Sequence, residues 1–128
     1  KKDILITVKG SGVGKINLLD KENIAISRQL IAIRTKKINH LYLYLYLYLQ
    51  YNYFQSIATG AAIPGISRKD ISQLSLRLPN SKTQKKTVSK IYQLKEIKET
   101  LILNGKLELN KLKGLKSSLL DAAFRGKL

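Results

Sequence analysis

The stretch "LYLYLYLYL", residues 41–49, decides how this chain folds. Its strict alternation of Leu and Tyr has the period of a β-strand. Residues 50–57, "QYNYFQSI", follow with no turn signal, so the run spans seventeen residues, 41–57. Strands usually end within about ten residues, and this run would reach roughly 56 Å at about 3.3 Å per residue. Coiled as a helix it occupies about 26 Å, which suits a small domain. Length overrides period, and we expect a helix packed on a sheet. On that helix Leu41, Leu45 and Leu49 share a face with Tyr44 and Tyr48, while Tyr42, Tyr46 and Tyr53 turn partly outward. The tyrosines are expected to pack rather than to stack on bases.

Upstream, "DILITVK" at 3–9 alternates apolar and polar residues before "GSGVGK", which reads as strand, tight loop, strand. Residues 15–19 and 24–34 add further β-prone runs, and a basic turn, "TKKINH", leads into the Leu/Tyr repeat. Downstream comes an irregular segment, "ATGAAIPGISRKD". It is followed by "LSLRLP" at 74–79, which alternates cleanly with Leu74, Leu76 and Leu78 on one face.

From Ser81 the pattern changes. "SKTQ" at 81–84 fits a capping box in which Ser81 accepts from the Gln84 N–H and Gln84 reaches back. Apolar residues then recur in steps of three and four as Val88, Ile91, Leu94, Ile97 and Leu101, and again as Leu109, Leu112, Leu115 and Leu119. They form one stripe on a helix of roughly 65 Å, with a soft point at Gly105; a two-helix hairpin turning at Asn104–Gly105 is the alternative. A stripe of that length needs a second helix to cover it. The expected class is α+β: a small mixed β-sheet domain with a packed helix, residues 1–80, then a long coiled-coil-type helix, residues 81–128.

The 128 residues carry 24 Lys+Arg against 8 Asp+Glu, a formal +16, which favours a polyanionic partner. Both parts share the excess, 12 basic and 4 acidic residues in 1–80 and the same in 81–128. Yet the first part mixes Arg with hydroxyl and amide groups in "SRQ" 27–29 and "SRK" 67–69, a chemistry that bonds base edges as well as phosphates. Its second part carries almost only Lys, which suits nonspecific phosphate attraction and snorkelling over an apolar stripe. Specificity is therefore expected in the first part and architecture in the second.

Several chemistries find no support. With no Cys and a single histidine, His40, there is neither a disulfide framework nor a usual metal-ligand set. The loop "KGSGVGKIN" misses the phosphate-loop pattern, since Lys9 and Ile16 stand where Gly and Ser or Thr are required. Its glycines read instead as a hairpin that lets a backbone approach a ligand, flanked by Lys9 and Lys15. The carboxylates Asp3, Asp20, Glu22 and Asp70 are scattered, so no catalytic pair can be assembled. Residues 41–49, the longest purely apolar run, fall short of a membrane span, and no signal peptide is visible, so a soluble cytoplasmic protein is expected.

The order of these motifs, "DILITVKGSGVGKINLLD", "SRQLIAIR", the Tyr-rich helix, "GAAIPGISRKDISQLSLRLP" and a long helix ending in "LKSSLLDAAFRGKL", resembles the specificity subunit of type I restriction–modification enzymes. The match looks like the later part of one target recognition domain followed by one helical region. Where that family typically has Pro-Leu and Glu-Gln after the "LP", this chain has Asn80-Ser81 and Thr83-Gln84. The resemblance implies a non-catalytic subunit of a restriction endonuclease and adenine methyltransferase complex, with no cofactor of its own. Its implied partners are double-stranded DNA, methylation (M) and restriction (R) subunits, and an antiparallel helix from a second such region or a second copy in a homodimer; a membrane is not among them. Carried onto this sequence, the DNA-facing positions are Lys9, Ser11, Lys15, Ser27, Arg28, Gln29, Ser67, Arg68 and Lys69. The Lys and Arg side chains mainly meet phosphate, and Arg28, Gln29 and Arg68 read bases. Two other readings compete: a nonspecific basic protein on nucleic acid or a membrane surface, and an inactive fragment of a specificity gene.

Overall fold

The computed structural model describes residues 2–58 and 63–127. Residues 59–62, which open the irregular segment before Ile63, lie outside them. The strands are β1 (Ile4–Thr7), β2 (Ile16–Leu18) and β3 (Leu30–Ile33), in the order β2-β1-β3. Both pairings are antiparallel, with Ile6 opposite Ile16 on one side and Ile31 on the other. A mixed sheet was expected, but a parallel pair needs a long crossover. Here the chain only loops back from β1 to β2 and then passes to the other edge of β1. Of the β-prone run 24–34, just Leu30–Ile33 pairs; residues 21–29 are exposed.

Alternation in β1 buries Ile4 and Ile6 completely and leaves Leu5 and Thr7 half-buried. Their core partners are Val8, Val13, Ile16, Leu47, Phe54, Ala58 and Ile66. Next to the Ile4–Ile33 pair that ends the ladder, the chain continues to Asp3 on one strand and Arg34 on the other. Arg34 grips Asp3 with two bonds, Nε to Oδ1 at 2.9 Å and Nη2 to Oδ2 at 2.6 Å. The hydrogen-bonded guanidinium holds the Asp3 carboxyl below the usual aspartate range, against the opposing effect of burial.

The Leu/Tyr repeat is helical. α1 (His40–Leu49) and α2 (Tyr51–Ile57) are separated by Gln50 alone, at φ −83° and ψ 4°. Asn39 caps α1, its Oδ1 accepting from the N–H groups of Leu41 and Tyr42. The buried face differs from the expected one: Leu43, Leu47, Phe54 and Ala58 face the core, while Tyr48 and Leu49 are 61% and 77% exposed. Leu at every second position spreads apolar surface around the helix. The spacing 43, 47, 54, 58 is the one that continues into α2 at steps of four and seven. Tyr46 donates from its hydroxyl to the Ser75 carbonyl at 2.7 Å, and Tyr42 to that of Arg77 at 3.5 Å. These two bonds hold the alternating segment 74–79, which is no strand and follows α1 instead of a sheet edge.

A short α3 (Arg68–Ser72) precedes α4 (Ser81–Phe124), 44 residues that run unbroken through Asn104–Gly105 and exclude the hairpin alternative. The expected Ser81 capping box does not form. Asn80 accepts from the Thr83 N–H at 2.9 Å, one residue earlier. Gln84, nearly fully buried, instead uses both ends of its amide: Oε1 accepts from the Asn39 N–H at 2.9 Å and Nε2 donates to the Pro79 carbonyl at 2.8 Å. The start of α1 is thus pinned to the start of α4. The chain divides into two compact units, Lys1–Val88 and Ser89–Leu128. In the second, residues 89–121 are all exposed.

Candidate nucleic-acid interface

The candidate residues lie on three segments that meet at one residue, Val8. Its N–H donates to the Gln29 carbonyl at 2.7 Å, and its carbonyl accepts from the Ile66 N–H at 2.9 Å. Lys9 forms an isolated antiparallel bridge with Gly65, and the Gly10 N–H reaches the Pro64 carbonyl. The end of β1 therefore draws together Lys9, the "SRQ" turn at 27–29 and the "SRK" start of α3. Lys9, Ser27, Arg28, Gln29, Ser67, Arg68 and Lys69 are all exposed there.

Each segment is stiffened locally. Ser27 accepts from the Gln29 N–H through Oγ and from the Leu30 N–H through its carbonyl, which closes the turn carrying Arg28. Ser67 and Asp70 form a capping box: Asp70 Oδ2 accepts from the Ser67 N–H at 2.6 Å and from its hydroxyl at 2.7 Å. Those bonds, the hydroxyl's first, hold the Asp70 carboxyl below the usual aspartate range. Ser67 is thus occupied in positioning Arg68 and Lys69 at the first turn of α3.

Ser11 and Lys15 belong to the loop 8–15, which is exposed at these two side chains. The loop does not offer its backbone as freely as expected: the N–H groups of Gly10, Val13, Gly14 and Lys15 bond to Pro64, Gly10, Thr7 and Gly12. Gly14, at φ +78°, makes its close approach to a helix and not to a ligand. A Cβ there would lie 2.9 Å from that of Phe54. The Gln55 amide also donates to the Val13 carbonyl, fixing the loop on α2.

Lys15 opens onto a second surface, a cleft of about 550 Å³ shared with Asn17, Tyr48, Tyr51 and Asn52. Reading the sequence assigned none of these four to a site. The exposed position of Tyr48 depends on which helix face is buried, and the alternating repeat does not specify that. A larger groove of about 710 Å³ beside β3 is mostly apolar, lined by Ile31, Leu43, Leu47 and Ile71, and takes only Arg68 from the candidate set. The single histidine, His40, opens α1; burial first, and then the Lys2 charge, push its pKa below the ordinary value.

The family model for the type I restriction modification DNA specificity domain matches residues 1–111. The chain belongs to that family. A chain from a solved structure concerned with complex assembly and conformational transition of the type I R-M system is similar to this specificity domain. It shares 27% identity at a TM-score of 0.73, over 99% of this chain and 31% of that one. The specificity domain thus spans about a third of its solved counterpart. Comparison with curated proteins finds no match. No helix among the described residues is long and apolar enough to cross a membrane.

Proposed function

We propose that the domain reads a half-site of double-stranded DNA through the three segments joined at Val8, on behalf of a type I restriction–modification complex. In this reading residues 1–80 are part of a target recognition domain and residues 81–128 are its spacer helix. Lys9, Lys15 and Lys69 meet phosphates. Arg28, Gln29 and Arg68 reach base edges, with Ser11, Ser27 and Ser67 holding the turns that present them. Methylation and restriction subunits supply the chemistry, and this chain carries none.

The observation that supports this most is the convergence at Val8. Groups able to read bases sit on two turns, and a cation, Lys9, directly follows Val8, the residue bonded to both. Phosphate contacts set register and base contacts set sequence, so a reader needs both on one surface. The test is a selection from random duplexes followed by competition at fixed salt. A selected sequence should bind at least about 10³-fold more tightly than random DNA. Arg68→Ala and Arg28→Ala should relax preference at particular base pairs, whereas Lys9→Ala should weaken all duplexes alike. Equal affinity for every sequence would reduce the domain to a basic surface.

A further inference from the structure

The tyrosines of the Leu/Tyr helices divide by use. Tyr42 and Tyr46 donate to carbonyls of the segment 74–79. Tyr48 and Tyr51 instead stand on either side of Gln50, where α1 gives way to α2, and both rings are exposed. Each is braced from one side. The Tyr48 ring lies 6.3 Å from that of Tyr44, tilted by 33°. Tyr51 rests against Gly14, where an added Cβ would sit 3.4 Å from its Cδ2. With exposed Leu49 they form the apolar part of the cleft of about 550 Å³ beside β2, and Lys15, Asn17 and Asn52 form its polar part. Among the described residues, the Tyr48 and Tyr51 hydroxyls and both asparagine amides make no hydrogen bond. No carboxylate lines the cleft.

We propose that this cleft binds one unstacked nucleotide of single-stranded DNA. Its three kinds of group match the three parts of that ligand. An exposed aromatic ring stacks on the face of any base. Side-chain amides pair with the donors and acceptors of a base edge. The Lys15 ammonium takes the phosphate, and a lining free of carboxylates does not oppose it. The volume lies within the range of about 300–1,000 Å³ that encloses small ligands. In an intact duplex each base face is covered by its neighbours, so the ligand is a nucleotide released from the stack.

Exposed tyrosines also serve protein interfaces, and position favours the nucleotide over a protein partner. The Lys15 carbonyl accepts from the Thr7 N–H at 2.9 Å, one residue before Val8. The cleft therefore opens beside the junction that carries the candidate DNA-facing residues. The inference rests on the DNA-binding reading for its ligand class and adds a second site to it. It also departs from the expectation that the tyrosines only pack.

Two labelled strands of about ten nucleotides test it, one of oligo-dT and one abasic throughout. They carry the same phosphates and differ only in their bases. In fluorescence anisotropy with the 128-residue chain, oligo-dT should bind roughly 5- to 100-fold more tightly than the abasic strand, the effect of one stacked base. Tyr48→Ala should abolish that preference and leave duplex affinity unchanged. Tyr48→Phe keeps the ring and should keep the preference. Tyr53→Ala removes an exposed tyrosine outside the cleft and should also keep it. Equal binding of the two strands by the wild-type chain would overturn the proposal, leaving charge as the sole attraction. A Tyr48→Ala variant that retains the preference would overturn it too and return the cleft to a protein partner. Duplex selection without a preference for oligo-dT leaves the half-site reading standing while this one fails; the preference without duplex selection does the reverse.

Discussion

Two glycines of one loop separate conformational strain from steric crowding. Gly10 and Gly14 both have positive φ, +87° and +78°, but only Gly14 sits against Phe54. Gly10→Ala should cost about 1–2 kcal/mol, the ordinary penalty of a left-handed residue. Gly14→Ala adds overpacking and should cost about 2–4 kcal/mol in urea unfolding. Asp3 makes a different prediction, in pH. Its folded pKa is depressed by Arg34, so its contribution is complete above the unfolded value of about 3.9 and is lost as pH falls through the folded one. Asp3→Asn should therefore lower the Tm at pH 6 and flatten its decline between pH 5 and pH 2. Half-buried His40 shifts downward as well, and its contribution is lost as pH falls from about 6.5 through the lower folded value. His40→Gln should reduce the fall in Tm between pH 8 and pH 5.

Among the elements, α1 shows what alternation conceals. Period two suggested a strand and length indicated a helix, and the helix is what forms; its buried face was not legible. A leucine at every other position offers several faces of equal apolarity, and only packing against Ile4, Ile6 and Phe54 selects Leu43 and Leu47. The tyrosine hydroxyls then take up carbonyls of a segment about thirty residues away, which local pattern does not encode. The capping of α4 was missed for a related reason. Gln84 was read as bonding within its own turn, whereas its partner Asn39 lies far away in sequence. Gln84→Ala strands a part-buried N–H and a part-buried carbonyl and should cost about 1–3 kcal/mol in chemical denaturation. Tyr46→Phe loses one exposed hydrogen bond and should cost no more than about 1 kcal/mol. If both variants cost the same, the Gln84 joint is weaker than its geometry says.

Over the whole molecule, charge was the most legible property and folding the least needed to read it. The formal +16 is visible in composition, but which cations share a surface depends on the Val8 junction, a matter of backbone pairing. Five candidate cations, Lys9, Lys15, Arg28, Arg68 and Lys69, predict a dependence of log K on log salt of about −4 to −5. Lys9→Ala should reduce that slope by about 1. A slope much steeper than this in fluorescence anisotropy titrations would mean that the lysines of α4 also lie on DNA.

The bonds that assemble this surface run between backbone groups. Val8, Gln29, Ile66, Gly10 and Pro64 are joined through N–H and carbonyl alone, and such bonds do not depend on which side chains the residues carry. The outward-facing residues of the same turns, Arg28 and Arg68 foremost, can therefore be exchanged without dismantling the junction that holds them. A frame of this kind separates heredity of shape from heredity of message: under the proposed reading, new recognition evolves by substitution at the rim, one residue at a time, while the fold beneath is inherited intact.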